Sequence, residues 1–183
     1  MEHPFMSQWW EWPTMNASSV PFAATLEGGQ LKALGNPAVW WGVSLVVVLV
    51  TPVWLLVVGR GAGRWGDRKW ATREFDPLII PFVTLYLGYL LNLVPYQLIK
   101  RSKFVYHYIP ALMVGVLLFA TSLDAFLRAA GLGGGFWKQG GRAVAFILFL
   151  IVTYAFIYWG IPFAYGYKLG VKYMQARLWN KKW

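Results

Sequence analysis

The sequence has no cysteine, and acidic residues and histidines are scarce: its 183 residues include seven Asp and Glu and two His. The absence of cysteine excludes a disulfide-stapled scaffold, a Cys-ligated zinc or iron–sulfur site and a thiolate nucleophile. Two histidines give too few ligands for a His-based metal site, so we expect no metal. Charged residues make up only 13% of the chain, whereas 58% is apolar and 19% aromatic. This composition is typical of a membrane protein.

The seventeen Lys and Arg residues give a formal net charge of +10. They lie between the apolar runs and never inside them, with groups at residues 59–76, 99–103 and in the C-terminal tail. This distribution is typical of loops at a bilayer surface. A nucleic-acid groove would need a polar domain to carry it, so we expect no nucleic-acid partner.

Four stretches are long and apolar enough to cross a bilayer as helices, which takes about 20 residues each. They contain no Asp, Glu, Lys or Arg and run over residues 38–58, 77–99, 104–123 and 143–163. The sequence therefore predicts an all-α integral membrane fold with four transmembrane helices within residues 37–165. An extramembrane, aromatic-rich segment (1–36) precedes this region and a basic tail (166–183) follows it. The Gly-rich stretch 131–141 is expected to be a flexible connector.

Basic residues around the first span predict its orientation. Lys32 is the single basic residue of the first 36, whereas five follow the span between residues 59 and 76. Because basic loops remain on the cytoplasmic side, the N-terminal segment is expected on the outer or lumenal side. The turn 100–108 and the tail then lie on that same side. Summed over the whole chain the balance is nearly even, so the orientation depends on the first hairpin.

Three indoles, Trp9, Trp10 and Trp12, lie close together ahead of the first span. They suit an interfacial aromatic belt, and they also suit a platform that stacks a sugar ring or packs against a neighbouring domain. Asn36 and Pro37 are typical of a helix start, because Asn caps free amide donors and Pro fits the first turn. The residues alone leave both roles of the tryptophans open.

Segment 100–111 concentrates cations and polar aromatic side chains at one membrane face. Lys100, Arg101 and Lys103 precede His107 and Tyr108. Arg offers a two-pronged donor to phosphate oxygens and Lys a point charge, so the group suits a lipid phosphate. Ordinary headgroup anchoring, with the His ring bonded to a carbonyl, explains the same residues equally well.

Taken in order, these motifs resemble the C-terminal half of the protein O-mannosyltransferases. The elements that carry the resemblance are His3-Pro4-Phe5 with Ser7, Trp9-Trp10, Trp12-Pro13, Leu34-Gly35-Asn36-Pro37 with Trp40-Trp41, Arg101 to Ala111, and Pro162-Phe163-Ala164-Tyr165-Gly166. Segment 101–111 is similar to the family's Arg…Phe…His-Tyr-Leu-Pro-Ala signature, with Ile109 in place of Leu. Residues expected to serve structure within these motifs are His3, Pro4, Asn36, Pro37 and Pro110.

The resemblance implies the C-terminal part of a GT-C class membrane glycosyltransferase. Such an enzyme moves mannose from a polyprenyl or dolichyl phosphate carrier to Ser or Thr hydroxyls of acceptor proteins, with the lipid-linked sugar as substrate and no cofactor. The family keeps its acidic catalytic loop in an N-terminal half, so we expect no catalytic residue in this chain. A fragment of a longer protein or a split subunit with a partner chain is then expected. The compartment would be the endoplasmic reticulum membrane in a eukaryote and the cytoplasmic membrane in a prokaryote.

The resemblance also assigns roles to individual residues. Arg101 is expected to contact the carrier phosphate, with Lys103, His107 and Tyr108 beside it. The aromatic group of Trp9, Trp10 and Trp12 is expected on the acceptor or sugar side.

A non-catalytic scaffold that packs against partner helices and binds anionic membrane lipid is the alternative. Ala111 and Gly115 have the small-xxx-small spacing of close helix contacts, and Asn92 is expected to bond to a neighbouring helix. A channel or carrier is disfavoured because the spans carry no charge.

Overall fold

A computed structural model of the chain describes residues 5–17, 20–24, 30–33, 35–52, 79–127, 136–165, 173 and 176–177. These residues form a two-stranded hairpin and four α-helices: β1 Val20–Ala24, β2 Gln30–Ala33, α1 Pro37–Leu45, α2 Ile79–Leu93, α3 Ile109–Leu127 and α4 Phe136–Tyr165. Two stretches, Val105–Leu127 and Ala143–Tyr165, are long and apolar enough to cross a membrane, and Pro37–Val50 is a shorter apolar helix. Residues 53–78 lie outside the described residues, so the limits of the first two spans stay predictions.

Local chemistry explains how α1 begins and ends. The Asn36 side chain accepts a hydrogen bond from the Ala38 amide at 3.0 Å, and Pro37 occupies the first turn as the sequence predicts. After Leu45 the helix widens into a π-helical stretch, Val46–Val50. Pro52 has no amide hydrogen to continue the α-helical ladder, and a widened turn is one way in which a helix accommodates that loss.

The end of α2 is also irregular. A 3-10 turn, Val94–Gln97, follows Leu93 and contains Pro95. Asn92 donates from Nδ2 to the Gly88 carbonyl at 2.8 Å, within its own helix. The expectation that Asn92 bonds to a neighbouring helix is therefore wrong, because its own backbone offers an acceptor one turn earlier.

Close packing of small against large side chains joins α3 to its neighbours. A methyl group on Gly115 would overlap Val43 of α1 and lie 3.1 Å from the Tyr89 ring of α2. A methyl group on Gly42 would lie 3.2 Å from the Phe119 ring of α3. Since lipid tails are as apolar as the side chains, such van der Waals fit drives the association of helices in a membrane. Helix α3 thus lies between α1 and α2.

Helix α4 packs on α1 and on β2 and is largely exposed. Asn36 donates from Nδ2 to the Thr153 carbonyl at 3.0 Å, and the Trp41 and Phe156 rings meet edge to face. Helix α4 already begins at Phe136, so the prediction of a flexible connector over residues 131–141 is wrong for its C-terminal part. The free-energy cost of the glycines near its start is small beside the favourable free energy of forming an apolar helix of 30 residues.

Two features lie in the predicted extramembrane segment. The strands β1 and β2 pair antiparallel with an irregular register between Pro21 and Ala23, and β2 lies against α4. The sequence predicted no strands there; this hairpin is a small addition to a helical fold.

Segment Phe5–Ala17 covers one end of α1, α2 and α3, and Trp12, Met15 and Ala17 are buried with helix residues in one core cluster.

Candidate functional site

Segment Phe5–Ala17 is fastened to α1 by side-chain hydrogen bonds. The acceptors are three consecutive backbone carbonyls. The Trp12 carbonyl accepts from Trp40 Nε1 at 2.5 Å, the Pro13 carbonyl accepts from Ser44 Oγ, and the Thr14 carbonyl accepts from Trp41 Nε1 at 3.3 Å. These acceptors would otherwise need water, and the donors lie in the first two turns of the helix. The segment is therefore held in place by the helix that it precedes.

The same segment contacts the turn between α2 and α3. Ser7 donates its amide to the Lys103 carbonyl at 2.9 Å, and Trp12 Nε1 donates to Ser7 Oγ at 2.8 Å. The Trp12 ring packs edge to face on Tyr96 at 5.1 Å and stacks near His107 at 6.2 Å between centroids. Two parts of the sequence that are far apart thus form one surface.

A cleft of about 550 Å³ opens where they meet. Its lining residues come from both parts: Met6, Gln8, Ile99, Lys100, Arg101, Ser102 and Lys103. Lys100 and Arg101 are exposed, and no hydrogen bond or ion pair joins Arg101 to another described residue. The cleft thus has three cations, and the guanidinium of one of them, Arg101, is bonded to no other described residue. Such a cleft suits an anion, above all a phosphate.

Lys103 combines a structural contact with its place in the cleft. It is partly buried and donates from Nζ to the Tyr96 carbonyl at 3.2 Å. That carbonyl lies in the 3-10 turn after α2, where it also accepts from the Ile99 amide at 3.4 Å. Lys103 therefore keeps its charge near the cleft while tying the turn to α2.

The structure places His107 and Tyr108 away from the cleft lining. His107 lies in a 3-10 turn, Val105–Tyr108, and its Nδ1 contacts the Phe104 amide at 3.0 Å. Tyr108 is fully buried; its hydroxyl meets the Tyr89 hydroxyl at 2.9 Å and its ring packs on Trp40. Of the four residues predicted around the carrier phosphate, the cleft lining contains Arg101 and Lys103.

The three predicted sugar-side tryptophans differ in exposure. Trp12 is fully buried, whereas Trp10 is 58% exposed. Trp9 is partly buried, lies edge to face against Trp10 at 5.8 Å, and its indole N–H has no hydrogen-bond partner among the described residues. Trp10 alone of the three presents a largely exposed ring.

The positions predicted to serve structure are distributed as follows. Asn36 and Pro37 form the start of α1, and Pro110 is the second residue of α3, where its missing amide hydrogen needs no partner. His3 and Pro4 lie outside the described residues.

Sequence reasoning missed the apolar and neutral part of the cleft. Met6, Gln8 and Ile99 line it, yet none has a charge or spacing that predicts a site. It also missed Gly35, where a methyl group would overlap the Trp40 ring. Gly35 and Trp40 stand in the quoted motif, so their proximity in sequence is the signal that could have revealed the contact.

None of the described residues that line the cleft is acidic. Among the described residues no group of three or more His, Asp and Glu could hold a metal ion. Glu11 accepts a hydrogen bond from the Gln8 amide at 2.8 Å, and the Gln8 carbonyl accepts from the Glu11 amide at 3.0 Å. This reciprocal capping gives Glu11 a structural role in the segment.

A sequence model described as the C-terminal four TMM region of protein-O-mannosyltransferase matches residues 1–183. The chain belongs to this family. Over 132 residues it is 30% identical to dolichyl-phosphate-mannose–protein mannosyltransferase 6 of Candida albicans, covering 67% of this chain and 16% of that protein. It is 29% identical over 167 residues to protein O-mannosyl-transferase 2 of Danio rerio, covering 86% of this chain and 21% of that protein.

A solved structure shares the fold of this mannosyltransferase-family chain. The structure is the S. cerevisiae protein O-mannosyltransferase Pmt1-Pmt2 complex bound to the sugar donor, with a TM-score of 0.79 and 22% identity. The match covers 100% of this chain and 24% of that chain. The predicted fold class, a helical membrane module of the C-terminal part of a glycosyltransferase, is confirmed. The chain spans about a fifth of the length of the relatives that it matches.

Proposed function

We propose that this chain is the C-terminal membrane module of an enzyme that transfers mannose from a polyprenyl or dolichyl phosphate to Ser or Thr hydroxyls of proteins. In this reaction the hydroxyl oxygen bonds to the sugar C1, and the bond from C1 to the phosphate oxygen breaks. The polyprenyl phosphate leaves with the electron pair. The hydroxyl proton passes to an acidic residue that is not in this chain. The activated donor supplies the driving force, so the proposal includes no cofactor.

The cationic cleft is the observation that supports this function. A phosphodiester carries one negative charge, and the departing monoester gains a second as the C1–O bond breaks. Lys100 and Arg101, which line the cleft and are exposed, would stabilise this developing charge more than the ground state. Arg101 is the better placed for a two-pronged contact, because its guanidinium is exposed and bonds to no other described residue.

The remaining components of the proposal follow from the family and from the exposed surfaces. The structural neighbour is a Pmt1-Pmt2 complex bound to the sugar donor. By analogy, a partner chain or an N-terminal half would pack on the apolar helix faces and supply the catalytic loop. We place the cleft on the outer or lumenal face, in the endoplasmic reticulum membrane if the source is eukaryotic and the cytoplasmic membrane if it is prokaryotic.

Substitution of Arg101 tests the proposal in the assembled enzyme, with a lipid-linked mannose donor and an acceptor peptide. Because a hydrogen bond to a charged group is worth about 1.5–3 kcal/mol, Arg101→Ala is expected to lower donor kcat/KM about 10- to 100-fold. Arg101→Lys keeps the charge but not the fork and should fall between wild type and Arg101→Ala.

Lys32→Ala provides the matched control, since it removes one positive charge from β2 without touching the cleft. Its donor kcat/KM should equal that of the wild type. Unchanged transfer by Arg101→Ala would refute the assignment of the cleft. If transfer also persists when this chain is omitted, the scaffold alternative is favoured instead.

A further inference from the structure

The imidazole of His107 is held by the backbone of Phe104. The Phe104 amide donates to His107 Nδ1 at 3.0 Å, and the Phe104 carbonyl lies 3.0 Å from the same nitrogen. The backbone amide of His107 donates to that carbonyl, also at 3.0 Å. The amide hydrogen points at Nδ1, and the tautomer that accepts it carries its proton on Nε2. The backbone amide and the side chain of His107 thus both bond to Phe104, the residue that precedes the turn Val105–Tyr108.

Four aromatic rings surround this imidazole. Their centroids lie at these distances from its own: Tyr106 at 4.5 Å, Tyr96 at 5.5 Å, Phe104 at 6.1 Å and Trp12 at 6.2 Å. Phe104 and Trp12 are within 23° of parallel to the imidazole. Rings on several sides fix the plane of the imidazole and therefore the direction of Nδ1.

Two hydrogen bonds hold the peptide that joins Lys103 to Phe104: Ser7 donates to the Lys103 carbonyl, and His107 accepts from the Phe104 amide. The Lys103 side chain adds a bond from Nζ to the Tyr96 carbonyl. The stretch before this peptide has no regular secondary structure, bends at Arg101 and also carries Lys100. The position of the guanidinium thus depends on how firmly this peptide is held.

We propose that His107 is a positioning residue of the cleft and does not touch the donor. Through Nδ1 it fixes the Phe104 amide, and thereby the path of the stretch that carries Arg101. Its absence from the cleft lining agrees with this role. The inference rests on the proposed function, because the effect of positioning is measured on the donor reaction.

Substitutions that keep a polar atom at the position of one ring nitrogen only can distinguish a positioning role through Nδ1 from a direct contact between Nε2 and the donor. Asn places a polar atom near the position of Nδ1, Gln places one near Nε2, and Phe retains the ring without either nitrogen. In the assembled enzyme His107→Asn is expected to keep donor kcat/KM close to wild type. His107→Gln and His107→Phe should lower it about three- to tenfold, the equivalent of one net hydrogen bond.

The melting temperature of each variant, followed by tryptophan fluorescence, reports on folding. His107→Phe keeps the ring packing and should melt near wild type, so its loss of activity would not be a loss of fold. Activity retained by Gln and lost by Asn would show that Nε2 meets the donor and would overturn the proposal. Full activity of His107→Phe would overturn it as well.

A double variant distinguishes failure of this inference from failure of the proposed function. If His107 acts through Arg101, adding His107→Gln to Arg101→Ala should cost no further activity. A second, independent loss would refute the positioning role while leaving Arg101 in the site. If Arg101→Ala itself has no effect, the cleft assignment fails, and the inference fails with it.

Discussion

Replacing Gly115 with alanine adds one methyl group at the place where α1, α2 and α3 meet. The new carbon would overlap Val43 Cγ1 and lie 3.1 and 3.2 Å from two atoms of the Tyr89 ring. Neither neighbour can move into open space, because Val43 is fully buried and Tyr89 is 1% exposed. The Tyr89 hydroxyl is also bonded to Tyr108. The helices must therefore separate.

The magnitude follows from two opposing effects. Overpacking a closely fitted core typically costs about 1–3 kcal/mol. Alanine regains up to about 1 kcal/mol of helix propensity relative to glycine. We expect a net loss of about 1–2 kcal/mol in the free energy of unfolding. Trimming the neighbour with Val43→Ala in the Gly115→Ala background should restore part of this loss, because the overlapping atom is removed.

Reversible unfolding in mixed detergent and SDS micelles, followed by far-ultraviolet circular dichroism, measures the difference. Gly160→Ala is the matched control, since a methyl group there meets nothing within 4 Å. It makes the same chemical change in another apolar helix and should be neutral or slightly stabilising. Equal stability of the Gly115 and Gly160 variants would refute the packing argument, as would a failure of Val43→Ala to relieve the strain.

Two further predictions concern polar contacts in the same unfolding assay. Asn36→Ala removes both the cap on Ala38 and the bond to Thr153 and should cost about 1–2 kcal/mol. Asn36→Ser keeps the cap alone and should lose less; equal losses would contradict this division. Tyr89→Phe and Tyr108→Phe should each cost about 1 kcal/mol by leaving one buried hydroxyl unpaired. The double Phe variant should then lose no more than either single one, and a summed loss would argue against the pair.

Features that depend on neighbouring residues were predictable from the sequence. Asn36 and Pro37 specify a helix start through short-range hydrogen bonding and a fixed backbone angle. The cations at residues 100, 101 and 103 follow an apolar run, and their proximity in sequence alone places them together in the cleft. The quoted motifs, taken in order, also led to the correct family.

Features that depend on distant contacts were not predictable. Tyr108 carries a polar group next to a cationic turn, which favoured a headgroup contact, but its partner Tyr89 lies on another helix. Trp12 belongs to an aromatic cluster that resembles an interfacial belt, yet its burial depends on Tyr96 and α1. Gln8 lines the cleft beside residues about 90 positions later in the sequence, where the Ser7 amide bonds to the Lys103 carbonyl. Hydrophobic periodicity contains no information on such pairings.

The hydrogen bond between Ser7 and Lys103 has a consequence for biogenesis. The N-terminal segment emerges from the ribosome long before the turn that it must meet, and the two halves of the cleft can join only after α2 has been inserted and the start of α3 has emerged. Until then, among the described elements that this segment contacts, α1 alone is present to bond it, through Trp40 and Trp41. A substitution that slows insertion of α2 or α3 would thus delay assembly of the cleft without altering any residue that lines it.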